Sequence, residues 1–242
     1  SRGARIRLEF ERFVSAANLH LAGQRLRITP LDGPARIEVA AGIDASVRQH
    51  NMETTLPLPI QPGRQHLETR FSRDGMIETR VATLPRGVRI AEGQEVRMLG
   101  PKGPVAGKPV AFPGRAAERF VFTCPRNATA RMSKLVHFFT SRDGNAMALL
   151  RKSMKKGMDY DSLLSAHRRA WASRWKMADI EIEGAPDDQR ALRFNLFQLM
   201  QACPEHDSRV SLGARGLSGE MHEGSVFWDN EIFKLPFFTF TR

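Results

Sequence analysis

Two adjacent residues near the carboxyl end, Trp228 and Asp229, are of types suited to holding a sugar. An indole face packs against the C–H face of a pyranose ring, and a carboxylate accepts hydrogen bonds from neighbouring hydroxyls. The same pair also fits a buried tryptophan beside a helix-capping aspartate, and the residues alone leave both readings open. Glu220 and Glu231 are the nearby acids. Upstream, Val210-Ser-Leu-Gly-Ala-Arg-Gly-Leu-Ser-Gly219 is glycine-rich and contains Arg215. Glycines there permit tight turns and close backbone approach.

Elsewhere the chemistry-bearing residues read as structure. His167 lies between Leu164, Trp171 and Trp175 at helical spacing, which predicts a packing stripe with a hydrogen-bonded histidine. Cys124 and Cys203 share no metal-ligand spacing, so a reduced, cytoplasmic protein is expected, with one disulfide still open. Gly100-Pro-Lys-Gly-Pro-Val-Ala-Gly-Lys-Pro109 has the wrong spacing for a phosphate loop, and Pro109 stands where a Ser or Thr would hold magnesium. It is expected to be a surface loop. The net charge of +11 admits a nucleic-acid binder. The basic residues are spread along the chain, with one dense cluster at Arg151–Lys156, so no specific nucleic acid is expected. No run of about 18 apolar residues exists, so no membrane span is expected.

The elements that must position these residues change character along the chain. Arg5–Phe10 alternates polar and apolar residues, predicting a strand with one buried face. Leu19–Ile28 alternates too, with a break at Gly23. Ala35–Val39 follows the turn signal Leu31-Asp-Gly-Pro34. Further strands fit Ile77–Ala82, Val88–Ile90, Glu118–Cys124 and Lys134–Thr140, separated by Ser72-Arg-Asp-Gly75, Ser141-Arg-Asp-Gly144 and other turns. Many short strands with frequent turns predict a sandwich and not a parallel sheet. From Asn145 the composition turns helical: Asn145–Lys156, then Asp161–Lys176 with Asp161 as cap. Asp179–Glu183 alternates like a strand. Pro186 suits a helix start, and Asp187–Cys203 carries apolar residues on more than one face, predicting a largely buried helix among other helices.

The blocks Gly213-Ala-Arg-Gly-Leu-Ser-Gly-Glu220, Val226-Phe-Trp-Asp229, Glu231 and Leu235-Pro-Phe-Phe238 resemble glycoside hydrolase family 65. Ile182-Glu-Gly184 and Gln189–Gln198 match it in the same order, and Ile6–Phe13 and Ile43-Asp44 loosely resemble its amino-terminal strands. The resemblance implies a multidomain β plus α protein: a partial β-sandwich (supersandwich) over 1–144, a helical linker over 145–180, and the first helices of an (α/α)6 catalytic barrel over 181–242. It implies cleavage of α-glucosidic disaccharides by inverting phosphorolysis to a glucose 1-phosphate. The alternatives are a hydrolase of the same fold, or a non-catalytic carbohydrate-binding or structural relative.

The resemblance assigns glucose binding to Trp228 and Asp229. It places the general acid, a Glu, and the phosphate loop beyond Arg242, so none of the catalytic residues is expected within the chain and the chain alone is expected to be inactive. A hydrolase would need a second carboxylate to activate water, whereas phosphate is already a nucleophile. The expected partners are thus an α-glucoside disaccharide and inorganic phosphate as co-substrate, with no cofactor or metal; a homodimer is also open. One stretch departs from the family pattern Gly-Tyr-x-Gly-His: here it is Met221-His-Glu-Gly-Ser225, and Asn230 stands where Thr is common. These changes lie beside the sugar pair, so the disaccharide cannot be carried over.

Overall fold

The computed structural model of the chain describes residues 5–44, 67–71, 76–81, 88–112, 115–216 and 225–241. The Ser72–Gly75 turn, Ala82, Glu220 and Met221–Gly224 lie outside the described residues. Those described up to Ala170 form one compact unit and those from Trp171 another.

The first unit is built on two antiparallel sheets. The larger has the order β1 (Ile6–Val14), β2 (Leu21–Pro30), β10 (Ala130–Thr140), β6 (Arg89–Gly100), β5 (Met76–Val81) and β4 (Leu67–Phe71), with β7 (Gly103–Val105) also paired to β6. The smaller has the order β3 (Ala35–Asp44), β9 (Arg115–Cys124) and β8 (Lys108–Phe112). Inward residues of both sheets make the sandwich core, with Ile28, Ile37, Cys124 and Ala130 in one cluster and Ala41, Met98, Phe120 and Met132 in the next. Two helices cover the other face of the large sheet. Leu150 and Ala146 of α1 (Ala146–Met154) pack on Ala91 and Phe139, and Tyr160, Leu163 and Leu164 of α2 (Tyr160–Ala178) pack on Leu21 and Leu135.

This second layer explains the strand that sequence reading divides at Gly23. The β1–β2 register runs unbroken from Ile6↔Pro30 to Val14↔Ala22. Leu21 is buried by helices on one face, and Ile28 by the small sheet on the other, so the apolar phase shifts without a break. Gly23 is required for a different reason: a Cβ there would come within 2.6 Å of the Phe13 ring and 3.0 Å of Tyr160.

Other expectations are corrected by the covering layers. Ile6–Phe10 does form a strand, but no residue in it is buried; β1 is an edge strand, and α2 reaches only its far end, at Glu11 and Phe13. Gly100–Pro109 is not a loop: Gly100 pairs with Gly103 in a tight hairpin, aided by φ of 118° at Gly103, and β8 begins at Lys108. The short strand expected at Val88–Ile90 extends to Gly100. Asp161 does not cap α2; Asp159 accepts from Ser162 N at 2.9 Å, while Asp161 takes the Arg25 guanidinium at 2.5 Å. Both cysteines are free.

The two helices are tied to the sheet by polar groups as well. His137, fully buried on β10, lies between Ser153 Oγ of α1 (2.9 Å) and Glu95 of β6 (2.8 Å). Arg25 lies over the Tyr160 ring at 4.0 Å, and Tyr160 donates to Glu11 at 2.9 Å. His167 is the packing residue its spacing predicts: Ala16 N donates to its Nδ1 at 3.2 Å, and its ring meets Phe13.

The second unit contains the end of α2, then α3 (Pro186–Ala202), α4 (Asn230–Phe233) and α5 (Leu235–Thr241). No strand forms at Asp179–Glu183. The backbone there is instead clipped by Gln189, which accepts from Ile182 N and donates to Ile180 O, and by Asp179 pairing with Arg193 at 2.6 Å. Pro186 opens α3 as expected. The helix is not largely buried: only Leu196 and Met200 are, and Phe194 is 60% exposed. Its one packed face meets Ala178, Trp171, Trp175, Leu192 and Phe237, too few neighbours to enclose the rest.

Candidate functional site

The sugar-type pair sits at the start of α4. Asp229 occupies the cap position in a helical conformation, and its carboxylate makes no capping hydrogen bond. Its main-chain carbonyl begins the turn instead, accepting from Ile232 N at 3.1 Å and Phe233 N at 3.0 Å. Trp228 is 79% exposed. Neither half of the structural alternative therefore holds: the tryptophan is not buried and the aspartate does not cap. Glu231 is also exposed.

Two residues that sequence reasoning did not assign anchor this turn to the glycine-rich segment. Asn230 donates through Nδ2 to Leu212 O at 2.8 Å. Lys234 donates through Nζ to Gly213 O at 2.7 Å and to Ala214 O at 3.2 Å. Ala214 N reaches Ser225 O at 3.2 Å, so the glycine-rich segment is also held to the stretch that leads into the turn. Gly216 has φ of 56° and would bring a Cβ to 3.2 Å from Ala202, so both its backbone angle and its close packing favour glycine. A lysine five residues beyond the cap was the available sequence signal. Its ammonium donates to the carbonyl of Gly213, which also accepts from Gly216 N, and to that of Ala214.

What this arrangement offers is a flat aromatic face and a carboxylate side by side, on a turn fixed by three side-chain bonds. Surfaces of this composition suit the C–H face and the hydroxyls of a polyol. Among the described residues, no cluster of His, Cys, Asp and Glu is arranged to hold a metal, and no helix is long and apolar enough to cross a membrane.

Residues 1–174 match the model of the glycosyl hydrolase family 65 N-terminal domain, and residues 193–242 that of the family's central catalytic domain. The chain is 34% identical to the kojibiose phosphorylase of Halothermothrix orenii, over 97% of its own length and 31% of that protein's. It is 31% identical to the kojibiose phosphorylase of Escherichia coli, over 100% of its length and 31% of the relative's. A maltose phosphorylase of Bacillus subtilis is 34% identical over 46% of the chain and 15% of the relative. The chain thus spans about a third of the length of the kojibiose phosphorylases it matches. A solved structure described as a putative kojibiose phosphorylase from human microbiome superposes with a TM-score of 0.79 at 19% identity, covering all of this chain and 31% of the other. At that identity the likeness speaks for the fold alone.

Proposed function

We propose, from the premise that the chain belongs to glycosyl hydrolase family 65, that its protein cleaves α-glucosidic disaccharides by inverting phosphorolysis. The observation that carries the reading is the exposed Trp228 beside an uncapped Asp229 on an anchored turn. In this reading the indole packs on the C–H face of the non-reducing glucose and the Asp229 carboxylate accepts from its hydroxyls. A general-acid glutamate outside this chain protonates the glycosidic oxygen while inorganic phosphate attacks the anomeric carbon from the opposite face. The names of the relatives, phosphorylases of kojibiose and maltose, support the choice of phosphate over water.

The proposal includes the division into a sandwich over 1–144, a helical linker over 145–180 and the start of an (α/α)6 barrel over 181–242. The apolar surface left open on α3 and at Phe233 and Phe240 supports the barrel assignment, because further helices would cover it. A cytoplasmic location fits two free thiols.

The test is a phosphate-dependence assay on the full-length protein with kojibiose, maltose, nigerose and trehalose. Glucose 1-phosphate should appear only with phosphate. Asp229→Asn should lower kcat/KM by about a hundredfold, the scale of two lost charge-assisted hydrogen bonds. Release of free glucose regardless of phosphate would make the protein a hydrolase, and an unchanged Asp229→Asn variant would move the sugar site elsewhere.

A further inference from the structure

The short helix that follows the sugar-type pair is tied down along one face. Asn230 opens α4 and Lys234 is its C-cap, four residues on, so the two lie on the same face of the turn. Both are half-buried. Asn230 donates through Nδ2 to Leu212 O at 2.8 Å, and Lys234 through Nζ to Gly213 O at 2.7 Å and Ala214 O at 3.2 Å. Three successive carbonyls of one segment thus receive donors from both ends of one helical turn. A tie at one end would leave the turn free to roll about its axis, whereas ties at both ends fix the roll.

The segment that supplies the carbonyls is itself seated. Gly216 N donates to Gly213 O at 2.9 Å, closing a tight turn, and Ala214 N donates to Ser225 O at 3.2 Å. Gly216 lies so near Ala202, the last residue of α3, that a Cβ on it would stand 3.2 Å away. Position is therefore passed from α3 through the glycine-rich segment to α4.

The pair itself is presented from another side of the turn. Asp229 is in a helical conformation and falls about 100° round from Asn230. Trp228 O accepts from Glu231 N at 3.3 Å, so the same turn includes the tryptophan, which is 79% exposed. Lys234 is a tie and not a cation awaiting an anion, because carbonyls engage two of its three donors.

We propose that Lys234 and Asn230 are positioning residues for the sugar contact: they set the direction in which Asp229 and Trp228 meet the glucosyl ring. This rests on the reading of that pair as the sugar-binding surface. A displacement on the order of 1 Å at a substrate contact costs up to about a hundredfold in rate, so a lost tie is visible in kinetics while the chain stays folded.

The experiment is the kinetics of disaccharide cleavage by the full-length protein, at varied disaccharide and varied phosphate, using the best substrate among kojibiose, maltose, nigerose and trehalose. It compares the parent with Lys234→Met, Lys234→Arg, Asp229→Asn and the double variant of Lys234→Met with Asp229→Asn. Lys234→Met keeps most of the stem and removes the donors. It should lower kcat/KM for the disaccharide by about tenfold, with KM for phosphate and the urea midpoint close to the parent's. Lys234→Arg keeps donors and should recover most of the loss. In the Asp229→Asn background, Lys234→Met should cost far less than it does alone, since the carboxylate it positions is already disabled. Parental kinetics in Lys234→Met beside an impaired Asp229→Asn would overturn the positioning role and leave the sugar reading standing. Parental kinetics in Asp229→Asn, or no cleavage of any of the four disaccharides, would remove both. Full additivity in the double variant, or a loss that falls on KM for phosphate instead, would also overturn the positioning role. Should Lys234→Met not fold, Asn230→Ala, which gives up one bond of the three, takes its place in the same cycle with the same outcomes.

Discussion

His137 shows how a single residue can join three elements and make their union depend on pH. Its ring bridges β6 through Glu95 and α1 through Ser153, and it is fully buried. Burial is the larger influence and lowers its pKa below the ordinary histidine value, against the opposing pull of the Glu95 carboxylate. The neutral ring is then an Nε2–H donor to Glu95 and an Nδ1 acceptor for the Ser153 hydroxyl. A depressed folded-state pKa means that, on acidification, the unfolded chain takes up the proton first. The stability linked to this group is present above about pH 6.5 and is lost as pH falls toward the folded-state value. Urea titrations at stepped pH should show the parent losing stability below that point. His137→Gln, which keeps hydrogen-bonding groups but cannot titrate, should be less stable at pH 8 and should lack this component of the acid loss. Parallel curves for the two proteins would show that another group drives the acid response.

Among the elements, α1 is the one whose beginning is most directly written in the sequence. Asn145 Oδ1 accepts from Ala148 N at 3.1 Å, satisfying a donor that the first turn leaves open. Asn145→Ala should cost about 1 kcal/mol of unfolding free energy by denaturant titration. A variant as stable as the parent would mean that packing of Leu150 and Ala146 alone holds the helix in place. Local signals of this kind made α1, α3's Pro186 start and most strands readable, because a cap, a proline or a period-two pattern acts within a few residues. What was not readable depends on layers brought in from far along the chain. The Arg5–Glu11 alternation looked like a half-buried strand, yet its cover would have to come from a sheet that does not extend over it. Gly23 looked like a break because the helices that bury Leu21 lie more than a hundred residues later. Asp161 looked like a cap because Asp159, two residues earlier, accepts the same class of bond. At the candidate site, Trp228 and Asp229 are singled out by residue type. Asn230 and Lys234 are not, since their roles come from the carbonyls of Leu212, Gly213 and Ala214.

At the scale of the whole molecule, the two units differ in how much apolar surface they enclose. The first has a core between its sheets and a second layer beneath α1 and α2, with Phe120, Leu21, Leu150 and Leu163 essentially inaccessible. Among the described residues, the second has one buried cluster, and α4 and α5 contribute no buried residue to it. Local opening is cheapest where few apolar contacts must be broken, so the units should exchange amide hydrogens very differently. β10 lies inside the large sheet between β2 and β6, bonded on both sides. Its amides should open only with global unfolding of the first unit. Amides of Asn230–Thr241 should exchange much faster, and they should slow when glucose or an α-glucoside occupies the Trp228–Asp229 surface, since binding raises the cost of opening the turn. Hydrogen exchange followed by mass spectrometry on the 242-residue chain, with and without ligand, reads both effects at once. Uniform protection across β10 and α4–α5 would show that the second unit is as firmly closed as the first and would remove the argument that its exposed apolar face awaits further helices.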